Sequence, residues 1–193
     1  MAKRVFFSFH YKDVADFRAN VVRNHWVAKS DREQAGYFDA SVWESARRQG
    51  ESGLKRLING ALEGTSNTCV LIGSDTATRP WVRYELLKSF RRGNHIFAVH
   101  INGIRGRDQL TKPLGRNPLE CVGVTFSSAG KTATLWEQES SGWVEYDKID
   151  GSAQYSFEVD GTYRGKGFSL AAWYPVYNWI ADDGFNQFAN WVK

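Results

Sequence analysis

Thr68-Cys69-Val70-Leu71-Ile72-Gly73 is an uninterrupted apolar run with no polar alternation. A strand wetted on one face alternates, so this run reads as a central strand of a parallel sheet, covered by helices on both faces. On its carboxyl side, Pro80 stands at a first-turn position. Trp81, Tyr84, Leu87 and Lys88 then carry a helix to a stop at Gly93, and His95-Ile96-Phe97-Ala98-Val99-His100-Ile101 repeats the central-strand pattern. On its amino side, Arg4-Val5-Phe6-Phe7-Ser8-Phe9 reads as the opening buried strand. Behind Asp13 as a candidate N-cap, Val14, Phe17, Val21, Val22 and Trp26 recur three and four apart, predicting one helix. A polar turn over residues 29–36, a short strand Tyr37-Phe38-Asp39-Ala40, and a helix with its core face at Leu54, Leu57, Ile58, Ala61 and Leu62 complete the amino half, with Gly64 at the helix C-cap.

Strands and helices that alternate at this length predict right-handed βαβ units. The expected fold is α/β, a doubly wound, flavodoxin-like parallel sheet of about five strands in the order 2-1-3-4-5. Val122-Gly123-Val124-Thr125-Phe126-Ser127 is the candidate fifth strand. Beyond it the character changes: Ala133-Thr134-Leu135-Trp136-Glu137 and Trp143-Val144-Glu145-Tyr146 are separated by turn residues and predict an antiparallel β-meander. Leu170, Trp173, Tyr174, Tyr177, Trp179 and Ile180, then Phe185, Phe188 and Trp191, predict two aromatic-rich helices broken near Asp182-Asp183-Gly184. We therefore divide the chain into an α/β core at residues 1–126 and, packed on it, a meander and helical extension at residues 127–193. The aromatic side chains of the extension serve either as core or as an oligomer or partner surface.

The 193 residues suit one domain, and 42% hydrophobic with 15% aromatic residues gives ample apolar surface for a core. The net charge of +4 conceals an asymmetry: residues 1–120 hold 20 Lys/Arg against 12 Asp/Glu, and residues 121–193 hold 5 against 9. The basic part either favours an anionic ligand such as a dinucleotide or pairs with the acidic part. No basic run marks a nucleic-acid patch. No apolar run approaches the ~20 residues that span a bilayer, and the stretch after Met1 is too short for a signal-peptide core. A soluble, cytoplasmic protein is expected. Cys69 and Cys121 lie far apart without metal-ligand spacing and read as buried, reduced thiols. No metal is expected.

In such sheets ligands bind beyond the carboxyl ends of the strands, where the strand order reverses. The loops meeting there are Ser8-Phe9-His10-Tyr11-Lys12 and Ser74-Asp75-Thr76-Ala77-Thr78-Arg79-Pro80-Trp81, flanked by residues 39–43. A phospho-receiver needs carboxylates after the first strand and a phospho-acceptor aspartate after the third. This chain has Ser8, His10, Gly73 and Ser74 there instead. Flavin or dinucleotide redox folds need a glycine- or hydroxyl-rich phosphate loop opening the first helix, and the first loop contains no glycine.

Val5-Phe6-Phe7-Ser8-Phe9, and then Leu71-Ile72-Gly73-Ser74 followed by Arg79-Pro80-Trp81-Val82-Arg83-Tyr84-Glu85, resemble the first box and the strand-Ser, Trp and helix-borne Glu of TIR domains. Nearly the whole chain is similar to the TIR-like subunit of the bacterial Thoeris antiphage defence system. Phe38-Asp39-Ala40-Ser41-Val42-Trp43 departs from the second box of animal and plant TIR domains. The resemblance implies an enzyme that cleaves NAD+ as substrate, with no further cofactor, and forms a cyclic ADP-ribose isomer that switches on a partner NADase effector. A phage-derived trigger and a homo-oligomer belong to the same expectation. It also implies Glu85 as the catalytic carboxylate. Phe6, Ser8, His10, Asp39, Ser74, Trp81 and Arg83 are the candidate substrate contacts around it. Glu85 alternatively pairs with Lys88 or Arg92 on a solvated helix face. Ser8, His10 and Ser74 alternatively cap strand-end backbone groups, Arg83 forms a surface ion pair, and Phe6 belongs to the core. The competing function is a non-enzymatic module that acts by self-assembly.

Overall fold

The structure, a computed structural model, describes residues 3–28, 31–38 and 40–193. Strands β1 (Lys3–Ser8), β2 (Arg32–Ala35), β3 (Asn67–Ile72) and β4 (His95–His100) run parallel. Helices α1 (Tyr11–Ala15), α2 (Arg18–Val27), α3 (Ala40–Arg48), α4 (Gly50–Leu62) and α5 (Pro80–Arg92) connect them. Every residue of β3 is buried, as its unbroken apolar run requires. Helix α5 begins with Pro80 at its first turn and stops at Gly93, whose φ of 79° is the left-handed cap that glycine adopts without strain.

The rest of the chain forms β5 (Val122–Phe126), β6 (Thr132–Glu139), β7 (Gly142–Glu145), β8 (Gln154–Ser156), β9 (Gly167–Ser169), β10 (Val176–Asn178) and α6 (Gly184–Trp191). The parallel sheet has the order β10-β4-β3-β1-β2, the expected 2-1-3-4-5 arrangement. Its fifth strand is β10, however, and not residues 122–127. Strand β5 instead pairs with β6 through a short turn and with β9 on its other side, in an antiparallel sheet ordered β7-β6-β5-β9, with β8 also paired to β6. Hairpin closure over a few residues brings β5 to β6 at low entropic cost.

Three further expectations are corrected, and one helix is added. The first helix is two helices, because Phe17 takes φ 65° and breaks the hydrogen-bond ladder between α1 and α2. The second strand is Arg32–Ala35 rather than residues 37–40. As an edge strand it needs no apolar run: Trp26 donates its indole N–H to Glu33 O at 2.8 Å, and the Arg32 guanidinium lies 4.5 Å over the Trp26 ring. Helix α3, with its apolar and cationic faces, was not foreseen. The first C-terminal helix is a single 3-10 turn at Leu170–Ala172 followed by β10, since Pro175 cannot continue a helix whose aromatic spacing otherwise mimics one.

Two cores flank the parallel sheet. One joins Phe6, Val70, Ile72, Leu86 and Ile96 to Val124 and Leu135 of the second sheet and to Tyr146 just beyond β7. The other joins Val5, Phe7, Leu71 and Phe97 to Trp26, Phe188 and Trp191 of α2 and α6. Cys69 and Cys121 are buried free thiols.

Candidate active site

A cavity of about 440 Å³ opens at the carboxyl ends of β1 and β2. The loop after β1 contributes Phe9, His10 and Tyr11, and Gly36 with Phe38 follows β2. Helices α3 and α4 contribute Trp43, Arg47 and Leu54, and the start of α5 contributes Arg79 through Val82 and Glu85. Gly36 is required here. Its φ is 78°, and a Cβ would stand 2.4 Å from Phe7 O and 2.8 Å from the Phe6 ring, so any side chain would push the post-β2 loop off β1.

Spacing on α5 sets the floor. Trp81 and Glu85, four residues apart, share the helix face that looks into the cavity, while Leu86 and Leu87 enter the core. Glu85 is only 6% exposed, and its Oε2 accepts a 2.5 Å hydrogen bond from Oγ of the fully buried Ser8 at the end of β1. No ion pair reaches Glu85 among the described residues, so the alternative of pairing with Lys88 or Arg92 does not hold. Lys88 instead lies 3.7 Å from Asp150. Burial raises the Glu85 carboxyl to about 8, offset only in part by the Ser8 bond, so the fold favours its protonated form at neutral pH.

The walls are aromatic. Trp81 meets Tyr84 edge-on with ring centroids 5.7 Å apart, and Phe38 lies 6.1 Å from Trp43. The cations sit among them. Arg79 is 3.9 Å from Asp75, and its buried Nε has no acceptor among the described residues. Arg47 is exposed and 3.3 Å from Glu44. The His10 imidazole is pushed below its ordinary range, first by burial and then by the Arg79 guanidinium.

Of the sequence candidates, Ser8, His10, Trp81 and Glu85 meet in one place. Phe6 is fully buried in the core beneath Gly36. Ser74 is exposed on the other side of β3, where its Oγ lies 3.5 Å from Pro113 O and 3.4 Å from the Asn102 amide. Arg83 points to the second sheet, bonding Glu137 at 3.1 Å and Gln138 O at 2.8 Å. Asp39 lies outside the described residues. Arg47 was missed because α3 was not predicted, and Leu54 because its helix position read as core. The signal for Arg47 was its spacing of four from Trp43. No group of acidic, histidine or cysteine residues suited to a metal occurs among the described residues, and no described helix is long and apolar enough to cross a membrane.

A buried acid beneath stacking aromatics, with guanidinium groups nearby, suits a flat cationic ring joined to an anionic group. Comparison with known proteins places the chain in a family. Residues 6–105 match the family model described as "Thoeris protein ThsB, TIR-like domain". Over 195 aligned residues, covering the full length of both chains, the sequence is 51% identical to a Bacillus cereus (strain MSX-D12) protein named "Putative cyclic ADP-D-ribose synthase ThsB1". With the family model spanning half the chain and the relative matching end to end, the chain belongs to the ThsB TIR-like family of Thoeris proteins.

Proposed function

We propose that this chain cleaves the nicotinamide–ribose bond of NAD+ and closes the remaining ADP-ribose into a cyclic isomer, with Glu85 as the catalytic carboxylate. The observation that carries this reading is the isolated Ser8–Glu85 pair, 2.5 Å apart, at the floor of an aromatic cavity. The relative's name points to the same product class.

Nicotinamide leaves NAD+ as a neutral base from a cationic glycoside, so no general acid is needed to protonate it. One carboxylate can then replace the pair usual in glycoside hydrolysis. The positive pyridinium ribosyl group entering beside Glu85 favours the ionised form, and the ionised carboxylate stabilises the oxocarbenium-like transition state through the ribose hydroxyls. Trp81 and Trp43 offer faces for the ring, and Arg79, which lines the cavity, offers its guanidinium to the pyrophosphate. As the C1′–nicotinamide bond breaks, its electron pair leaving on nicotinamide, an adenine nitrogen or a ribose hydroxyl of the same molecule bonds to C1′, and a proton passes to solvent from that hydroxyl or from the amino group conjugated with the attacking ring nitrogen. The cavity serves this by holding the dinucleotide folded and keeping water out. Through that product the chain would act on an NADase effector, after a phage-derived trigger.

The test is nicotinamide release and mass spectrometry of products, using purified protein with and without extract of phage-infected cells. Wild type is expected to yield a cyclic ADP-ribose mass that Glu85→Gln does not. Undiminished turnover by folded Glu85→Gln overturns the assignment of Glu85, and absence of both products from wild type in every condition overturns the enzyme reading.

A further inference from the structure

Ser8 reaches Glu85 from behind the cavity. It ends β1, where its backbone is registered on Val70 of β3, and it is fully buried. Phe7 and Phe9 on either side of it line the cavity, and Ser8 does not. Alternation along the strand puts Ser8 on the face of Phe6, whose core it shares with Leu86 and Leu87 of α5. The Ser8 hydroxyl therefore faces the helix and not a ligand, and it donates its one proton to Glu85 Oε2 at 2.5 Å.

That bond divides the carboxyl group. Oε2 is held by Ser8, and no other hydrogen bond or ion pair reaches either oxygen among the described residues, so Oε1 is left to the cavity that Glu85 lines. A glutamate side chain keeps much of its rotamer freedom unless something fixes it, and the one polar group fixing this one is anchored in a central strand. A serine hydroxyl also suits both forms of the acid: it donates to a carboxylate, and its lone pairs accept from a protonated carboxyl. Donation to the ionised form is the stronger of the two, because a charged acceptor shortens and strengthens the bond.

Building on the NAD+-cleaving reading above, we propose that Ser8 is a positioning residue for that reaction: its hydroxyl aims Glu85 Oε1 at the ribose and holds the carboxylate ionised through the transition state, without touching NAD+ itself. The role is separable from that of a substrate contact and from that of a core serine. A lost contact weakens binding in ground and transition states alike and raises KM, whereas a misaimed carboxylate lowers kcat. A core serine affects how much of the chain is folded and leaves the titration of Glu85 in the folded chain unmoved. His10, Tyr11, Arg47 and Arg79 also line the cavity, but the Glu85 carboxyl is raised by burial and lowered by the Ser8 bond alone, so its titration reports that bond.

The test compares Ser8→Ala, Ser8→Cys and Ser8→Thr with wild type in nicotinamide release from NAD+ across pH, with folding checked by thermal melting. Ser8→Ala is expected to lower kcat about 10–10²-fold while KM stays within about twofold of wild type. The ascending limb of its kcat–pH profile, where Glu85 ionises in the complex, moves up by about one pH unit, because a donor to the charged form is gone. Ser8→Cys, close in size but a weak donor, follows Ser8→Ala, and Ser8→Thr, which keeps the hydroxyl, restores both readouts. A raised KM at unchanged kcat, or an unmoved limb in folded Ser8→Ala and Ser8→Cys, overturns the proposal. Carboxyl ¹³C NMR of glutamate-labelled protein reads the same bond without turnover. The Glu85 resonance, assigned by its loss in Glu85→Gln, is expected to titrate at higher pH in Ser8→Ala, and coincident titrations overturn the role of Ser8 whatever the activity. Wild type that releases no nicotinamide in any condition, with the NMR difference present, overturns instead the NAD+ reading and the reaction named here.

Discussion

Glu85 and Asp13 are both buried acids near the carboxyl end of β1, yet they are held in opposite ways. Asp13, 3% exposed in α1, packs against Gly73 so closely that a Cβ there would be 2.2 Å from its carboxylate oxygens. Thr76 lies 3.5 Å away, and the positive groups of Lys112 and Arg18 stand near enough to oppose the effect of burial. Arg18 and Lys112 are shared with Asp16, which ties the loop after β4 to α1. Glu85 has one hydroxyl, no cation among the described residues and a 440 Å³ cavity above it. An acid enclosed by packing and countercharge belongs to the fold. An acid left uncompensated beside empty space is ready for a positive ligand.

The contrast breaks most sharply under substitution. Glu85→Gln keeps the shape and the neutral charge of the resting side chain, so it is expected to leave melting unimpaired and to lower turnover by about 10²–10³-fold or more. Arg18→Ala should do the reverse. It removes a buried guanidinium from two carbonyls and Asp16, and is expected to cost about 3–5 kcal/mol in denaturant unfolding, with the site chemistry of the surviving folded fraction intact. A collapse of turnover in folded Arg18→Ala, or of stability in Glu85→Gln, would erase the distinction. Arg79→Ala is a smaller test. If its guanidinium serves the pyrophosphate in ground and transition states alike, KM for NAD+ rises about tenfold while kcat stays near wild type.

The same contrast explains what the sequence could say. Central strands β3 and β4 were legible because burial on both faces forces unbroken apolar runs, and α5 because Pro80 and Gly93 bracket it. Edge strands β2 and β10 were not, since Arg32–Ala35 is polar and Val176–Asn178 is too short to show a period. At the site, Trp81 and Glu85 were placed by the resemblance to TIR domains, their spacing of four accounting for the face of α5 they share, and Ser8 by its strand end. The same periodicity places Arg83 two residues from both, on the other flank of α5, where it meets Glu137. Ser74 follows β3 directly but turns to Pro113 and Asn102, because Gly115 packs on the Gly73 carbonyl and draws the loop after β4 over that strand end. Strand-end proximity alone did not distinguish the two faces of the sheet.

The finest test uses pH. Glu85 has an ordinary value of 4.5 in the unfolded chain and about 8 in the fold. Below 4.5 both states hold the proton and pH has no leverage. Above it the unfolded chain releases a proton that the fold retains, so stability falls as pH rises until the folded group ionises near 8, by at most roughly 1.4 kcal/mol per unit. Asp13 acts in the same sense but is finished by about 6. His10, His95 and His100, all lowered by burial, act in the opposite sense, because the unfolded imidazoles bind protons that the folded ones refuse, and that influence ends above their ordinary 6.5. Between pH 6.5 and 8 Glu85 is, among the described residues, the one shifted carboxylic acid that keeps its proton in the fold and not in the unfolded chain. Wild type should therefore lose stability across that window while Glu85→Gln stays level, leaving the variant the more stable chain at pH 8. Parallel slopes in denaturant unfolding would mean that Glu85 is already ionised in the folded chain. The comparison with Asp13 would then lose its electrostatic half.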